Sequence, residues 1–253
     1  MGTSDLVPGV SGGTIAVLLG IYDRLISSIS GLFSKDWKKH LGFLIPLGIG
    51  MATAVLILSN LITYLYKHYP QQTEFLFLGL IIGILPYLFK EANVKETFKI
   101  PHVILFIIGA ILISLMIFRP EVSPQIMDRS SGTYILLFIS GMAGSAAMIL
   151  PGISGSLMLY IIGVYWTVIG AIKDLELDIL AVVGLGIMVG IIAMSKIIQY
   201  FLTHYRTTTF ALILGLVTGS VVVVFPEQGF PVETLPIIAC IATFACGLLL
   251  AYI

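Results

Sequence analysis

Charged side chains are scarce in this sequence. Lys, Arg, Asp and Glu make up 10% of the 253 residues, whereas 58% are hydrophobic and the mean hydropathy is +1.08. Ordinary soluble domains are about 45–50% apolar, and so few charges cannot cover a soluble core of this size. The composition therefore predicts an integral membrane protein whose apolar surface faces lipid.

Other scarce features exclude further classes of protein. The formal net charge is zero, which argues against a nucleic-acid groove or a polybasic arm. Cys240 and Cys246 lie six positions apart in an apolar run and are interpreted as packing residues. The histidines occur singly, and the sequence has no Gly-x-x-x-x-Gly-Lys motif, so neither a metal site, an ATP-driven pump nor any other cofactor is expected. The first residues lack the basic region of a cleavable signal peptide.

Six apolar runs are long enough to cross about 30 Å of hydrocarbon at about 1.5 Å per residue. Glycine and proline interrupt two further segments, near 6–22 and 134–170, which are predicted to be broken or re-entrant helices. Backbone groups freed by such breaks are tolerated in a membrane only inside protein or beside a watery cavity. The predicted fold class is an all-α membrane bundle, with spans near 42–66, 74–89, 101–118, 180–203, 208–226 and 234–253.

The sequence also repeats itself. LVPGVSGG at 6–13 matches ILPGISGS at 149–156, and Tyr64 and His68 match Tyr200 and His204 further along. We predict one membrane domain made of repeat 1 (1–120), a linker (121–133) and repeat 2 (134–253). Each repeat is expected to be a broken helix followed by three spans. Repeat 1 lacks the apolar arm that precedes the second motif at 134–149.

The distribution of Lys and Arg predicts how the repeats are oriented. Loops 23–41, 90–100 and 204–207 hold eight Lys and Arg, whereas the other loops hold four. Because positively charged loops stay in the cytoplasm, the first set is assigned to that side. Three spans per unit then place the second motif on the opposite side from the first, as an inverted repeat. If the broken segments crossed the membrane completely, this parity would change.

The two motifs suit an anion. Proline ends a helix, glycine allows the chain to turn, and serine caps the next helix, so each motif creates a helix N-terminus that favours phosphate or carboxylate. A single copy would more often serve packing. Interrupted helices at matching places in two repeats indicate a transporter's substrate site. The predicted phosphate-binding residues of the motifs are Ser11, Gly12, Gly13, Thr14, Ser154, Gly155 and Ser156.

Charged residues near these segments are the other candidates. Lys196 lies within an apolar run and is predicted to be a counter-charge for the phosphate, although a lysine that snorkels to the interface would explain it equally well. Its match in repeat 1 is Asn60. Asp5, Arg24, Asn60 and Arg119 are candidates for headgroup binding or coupling, with solvation or interfacial anchoring as the alternative for the charged ones.

SDLVPGVSGGT at 4–14 and LPGISGS at 150–156 resemble the paired signatures of a bacterial and archaeal membrane family. Its members, once a domain of unknown function, are regarded as polyprenyl-phosphate transporters. The resemblance covers essentially the whole chain and differs only in the missing arm before Asp5. It implies that the substrate is undecaprenyl phosphate, the lipid carrier of cell-wall synthesis, returned from the outer to the inner leaflet. Alternating access is the expected mechanism. The sequence does not decide whether a proton or a sodium ion is coupled to transport.

Two other functions remain as alternatives. An intramembrane lipid-pyrophosphate phosphatase would also use re-entrant repeats, but it needs catalytic Glu, Arg and His or Ser clustered in the membrane. An anion channel would also use broken helices with Gly-Ser motifs. The first alternative predicts release of phosphate from a lipid pyrophosphate, and the second predicts competition by chloride.

Overall fold

The computed structural model describes residues 1–2, 11–118, 127–226, 229 and 234–251. Over these ranges the regular structure is entirely helical. A short 3-10 turn, Leu115–Ile117, extends the sixth helix. The helices are α1 (Gly12–Leu18), α2 (Tyr22–Ser30), α3 (Trp37–His68), α4 (Pro70–Glu91), α5 (Val94–Thr97), α6 (Ile100–Ser114), α7 (Ser131–Ile149), α8 (Gly155–Ile162), α9 (Tyr165–Asp174), α10 (Leu177–His204), α11 (Arg206–Val224) and α12 (Thr234–Leu250).

Six of the described helices are long and apolar enough to cross a membrane: α3, α4, α6 with its 3-10 turn, α7, α10 and α11. The prediction of an all-α integral membrane protein is thereby confirmed. Five of these helices coincide with predicted spans. The sixth predicted span, 234–253, contains the 17-residue α12. Residues 134–149, predicted as the first part of a broken segment, lie in the 19-residue α7, which is long and apolar enough to cross a membrane by itself. The glycines that suggested a break, Gly141 and Gly144, are packing positions within α7.

Both predicted broken segments contain a turn at a glycine. Helices α8 and α9 meet at an angle of 110°, and Gly163 between them has φ +90°. In repeat 1 the matching Gly20 lies between α1 and α2 with φ +64°. This left-handed backbone region favours glycine, since side chains with a Cβ are strained there. The turns therefore depend on the glycines that the two motif segments share.

Close helix pairs form the scaffold, and they match between the repeats. Helix α4 packs against α12, and its counterpart α11 packs against α6. A Cβ at Gly79 of α4 would collide with the Phe244 carbonyl, and a Cβ at the matching Gly215 of α11 would collide with the Phe106 carbonyl. Small residues at these positions let the backbones approach closely, which is how helices associate in lipid.

Ion pairs join loops at each end of the helix bundle. Arg206 Nη1 lies 2.8 Å from Asp23 Oδ2 and its Nη2 lies 4.0 Å from Glu91 Oε1, which joins loops assigned to the cytoplasm. At the other end of the bundle, Arg129 Nη2 lies 2.6 Å from Glu176 Oε1. Each contact joins loops that the Lys and Arg distribution assigns to one side. The inverted order of the repeats and their boundaries stay predictions.

Helices α3 and α10 match in sequence but differ in packing. Helix α10 packs against α7, where a Cβ at Gly186 would collide with the Phe138 carbonyl. The matching Gly50 of α3 has nothing within 4 Å of its Cβ position, and no residue of α3 is buried. The described part of repeat 1 contains no helix that covers α3 as α7 covers α10.

These two glycines give a matched test of the packing. We expect Gly186→Ala to destabilise the protein by about 1–3 kcal/mol, because the added methyl group forces α7 and α10 apart. Gly50→Ala adds the same group to open space and should be neutral or stabilise by about 0.5–1 kcal/mol through helix propensity. Thermal unfolding in detergent measures both. Equal unfolding temperatures for the two variants would contradict this packing.

Candidate functional site

The two predicted motifs meet in the structure. The backbone N–H of Gly152, in the second motif, donates a hydrogen bond of 2.8 Å to Thr14 Oγ1 in the first. Ser11 Oγ donates to the Leu150 carbonyl at 3.4 Å. Ser11 and Thr14 are each only 1% exposed. Residues 138 or more positions apart thus form one polar contact inside an apolar bundle.

Local chemistry explains the conformation of the first motif. Ser11 has extended backbone angles and its Oγ accepts a hydrogen bond from Thr14 N at 3.3 Å, so it is the N-cap of α1, as expected for serine. A Cβ at Gly13 would lie 2.8 Å from the Ile149 carbonyl oxygen, so only glycine lets α1 start directly against the end of α7. Pro8 and Gly9 of this motif lie outside the described residues.

The meeting point lies halfway along the spanning helices. Gly152 has φ +87°, and a Cβ there would lie 2.6 Å from the Leu216 carbonyl oxygen. Leu216 is close to the middle of α11, which runs from Arg206 to Val224. The second motif and the start of α1 therefore lie near the middle of the bundle, where unpaired backbone groups are costly.

The second motif is accessible, unlike the first. Ser154 precedes α8 but makes no side-chain cap, and its Oγ lies 2.9 Å from Ser156 Oγ. Helix α8 has no buried residue, and Ser156 is exposed. Gly155 packs closely on α7, since a Cβ there would lie 2.7 Å from the Gly144 carbonyl oxygen. Two hydroxyls at the start of an uncapped helix are thus available to a ligand.

The structure brings the other candidates less close to the motifs. Lys196 and Asn60 are exposed, and Arg24 stacks over the Phe43 ring at 4.5 Å. Among the described residues, no hydrogen bond or ion pair joins these three to either motif. Asp5 and Arg119 lie outside the described residues. Their proposed roles stay predictions.

Sequence reasoning missed a polar cavity between α2, α10 and α11. It has a volume of about 340 Å³ and is lined by Asp23, Gln199, Leu202, Thr203 and Arg206. Near it, Ser195 Oγ and Gln199 Oε1 are buried without a hydrogen-bond partner in the described part of the chain. The available signal was the spacing of four between Ser195, Gln199 and Thr203, which places them on one helix face.

Arg206 and Tyr22 connect this cavity to the motifs. Arg206 lies between the carboxylates of Asp23 and Glu91, and its guanidinium group stacks over the Phe210 ring at 5.0 Å. The neighbouring Tyr22 is 4% exposed, and its hydroxyl donates to the Ile149 carbonyl at 3.2 Å. Helix α2 therefore links the charged end of the bundle to the point where the motifs meet.

Comparisons with known proteins agree with this architecture. A family model described as undecaprenyl phosphate translocase-like matches residues 1–234. The chain is 48% identical over 260 residues to the polyprenyl-phosphate transporter of Staphylococcus aureus (strain NCTC 8325 / PS 47), covering 99% of this chain and 91% of that protein. The chain belongs to the undecaprenyl phosphate translocase-like family. The Vibrio cholerae serotype O1 polyprenyl-phosphate transporter is 36% identical over 241 residues, which cover 89% of this chain and 75% of that protein. No solved structure matches the chain.

In this member of the translocase-like family the two halves of the site are not equivalent. Helix α2 packs against α10 and α1 packs against α4. Within the described ranges, the matching helices α9 and α8 make no comparable packing against α3 and α11. The half that contains α1, α2 and Arg206 is thus closed, and the half that contains α8 and α9 is open.

The contact between the motifs can be tested at Thr14. We expect Thr14→Val to destabilise the protein by about 1–3 kcal/mol, because the buried N–H of Gly152 loses its acceptor. Thr14→Ser retains the hydroxyl and should recover most of that loss. Unfolding in detergent compares the two variants. If valine is as stable as serine at this position, the hydrogen bond does not hold the motifs together.

Proposed function

We propose that the chain is a transporter that moves undecaprenyl phosphate, or a related polyprenyl phosphate, between the leaflets of the bacterial cytoplasmic membrane. The lipid would then be reused in cell-wall synthesis. The printed names of the two relatives support the substrate. The observation that supports the proposal is the hydrogen bond from the Gly152 N–H to Thr14 Oγ1, since it joins the two motif segments beside the middle of α11.

The second motif is the proposed phosphate site. Helix α8 begins with Gly155, Ser154 leaves its first N–H groups without a side-chain cap, and Ser156 adds a second hydroxyl. N–H groups at a helix start carry partial positive charge and bind phosphate. Hydroxyls and backbone groups can hold a phosphate without the strong Coulomb attraction of an arginine cluster, which favours release on the other side of the membrane.

The difference between the two halves supports alternating access. In the proposed cycle, α8 and α9 close over α11 and α3 as α1 and α2 move away from α4 and α10, so that the repeats exchange roles. The Arg206 to Asp23 pair would have to break in that step. Both side chains are about half exposed, and such pairs contribute only about 0–1 kcal/mol. The pair can therefore close this end reversibly.

Removing the accessible hydroxyls should slow transport without unfolding the protein. We expect the double variant Ser154→Ala, Ser156→Ala to reduce flipping of undecaprenyl phosphate in liposomes by about tenfold, the effect of losing roughly 1.4 kcal/mol of binding. Thr53→Val is the matched control, because its exposed hydroxyl contacts only the Ile49 carbonyl on α3. Unchanged flipping in the double variant would remove the phosphate site from α8. Release of inorganic phosphate from a lipid pyrophosphate would favour the phosphatase alternative.

Cross-linking can test the proposed movement of α2. In a background with Cys240→Ala and Cys246→Ala, the pair Asp23→Cys and Arg206→Cys would be bridged with a short reagent that reductant cleaves. We expect bridging to stop transport and reductant to restore it, since α2 could no longer leave α11.

The control is the pair Arg129→Cys and Glu176→Cys at the other end of the bundle. These positions flank α7 and α10, which pack closely along their length, so a bridge there should leave transport unchanged. Equal transport with and without the bridge at 23 and 206 would show that this end does not open.

A further inference from the structure

An apolar groove lies between the N-terminal halves of α4 and α12, beside the end of α11. Its volume is about 390 Å³, and its lining is entirely apolar. The residues that define it are Phe75 and Leu78 of α4, Phe225 after α11, and Cys240, Ile241 and Phe244 of α12.

This groove opens at the surface beside Ile241 and has a buried base, unlike the convex helix surfaces around it. Its base is formed by Phe75, Leu78 and Cys240, which are 5%, 4% and 2% exposed. They belong to the same continuous cluster of buried side chains as Ala16 and Val17 of α1. The groove therefore reaches inward to the core that supports the motif helices.

The walls of the groove are held in place. The rings of Phe75 and Phe225 pack edge to face with their centroids 6.3 Å apart. Next to the groove, Gly79 brings α4 against α12 at Phe244, so the helices cannot close together to fill the space above that contact. An apolar cavity with rigid walls suits a hydrocarbon and offers nothing to water or an ion.

The position of the groove matches the open half of the candidate site. It lies at the end of the bundle where Gln71 Nε2 donates to the Gly229 carbonyl at 3.4 Å. Three of the spanning helices, α4, α10 and α11, each separate this end from the end that holds Arg206. Helices α8 and α9, which leave the second motif accessible, precede α10 on the same side.

We propose that this groove binds part of the isoprenoid chain of the transported lipid while its phosphate occupies the start of α8. The inference rests on the function proposed above and assigns the second half of the same substrate. Because lipid tails are as apolar as the groove, its affinity for the chain comes from van der Waals packing against fixed walls, without hydrogen bonds that would fix one position. The chain can therefore slide along α4 and α12 as the phosphate moves.

Two isoleucines of α12 give a matched pair for the test. Ile241 lines the groove, whereas Ile238 does not, and they are 62% and 59% exposed. We expect Ile241→Trp to fill the groove and to reduce flipping of undecaprenyl phosphate by about fivefold, as a loss of roughly 1 kcal/mol would. Ile238→Trp should flip it at the rate of the unchanged protein. Geranyl phosphate, whose chain is too short to need the groove, should be flipped equally by all three proteins.

The outcomes separate this inference from the proposed function. If the unchanged protein flips neither lipid, the proposed function fails. If it flips both lipids and the two tryptophan variants behave alike, the groove does not bind the isoprenoid chain. The same conclusion follows if Ile241→Trp slows geranyl phosphate as much as undecaprenyl phosphate.

A labelling experiment gives an independent measurement. An undecaprenyl phosphate analogue with a diazirine in its chain should label peptides of α4 and α12 in liposomes, and unlabelled undecaprenyl phosphate should compete. Equal competition by phosphatidylglycerol would show that ordinary membrane lipid fills the groove and would overturn the inference.

Discussion

The structure depends on the hydrogen bond between the Gly152 backbone and the Thr14 hydroxyl. A chain that breaks its helices at mid-depth exposes N–H and C=O groups where no bulk water can satisfy them. Here side chains of repeat 1 provide partners for the backbone of the second motif, since Thr14 accepts from Gly152, and Ser11 and Tyr22 donate to the Leu150 and Ile149 carbonyls. The same constraint brings the two motifs together, and it makes the centre of the bundle the place where polar groups collect.

Around this centre, glycine determines which helices move together. The pairs α4 with α12, α6 with α11 and α7 with α10 meet at glycines whose added Cβ would strike a neighbouring backbone. Contacts of that kind are intolerant of small shifts, so each pair is expected to behave as a rigid body. Helices α1, α2, α8 and α9 are short and are attached through turns at Gly20 and Gly163. The division into rigid pairs and short connected helices suits a protein that must open at either end.

Much of the architecture could be predicted from sequence, because hydrophobic length and Pro-Gly breaks are local properties. Five of the six predicted spans and the glycine turns of the two motif segments follow from such patterns, whereas α7 was not predicted as a separate span. The closed state of the first motif could not be predicted, since Ser11 and Ser154 occupy the same position in nearly the same motif. Which of them is buried depends on how α1 and α8 pack against distant helices. The cavity beside Gln199 could not be predicted for a related reason: the charge of Lys196 marks it as a candidate, whereas the neighbouring uncharged Ser195 is the side chain that faces inward.

The length of α3 has a consequence for the membrane around the protein. The apolar run of this helix, 42–66, is about 38 Å long at 1.5 Å per residue, beyond the roughly 30 Å of hydrocarbon. A helix that long must tilt or thicken the bilayer around it. Aromatic and basic side chains towards its ends, such as Trp37, Lys38 and Tyr64, are of the types that anchor a helix at the membrane interface. Bilayer thickness therefore bears on the tilt of α3, and so on the surface to which α9 moves in the proposed cycle.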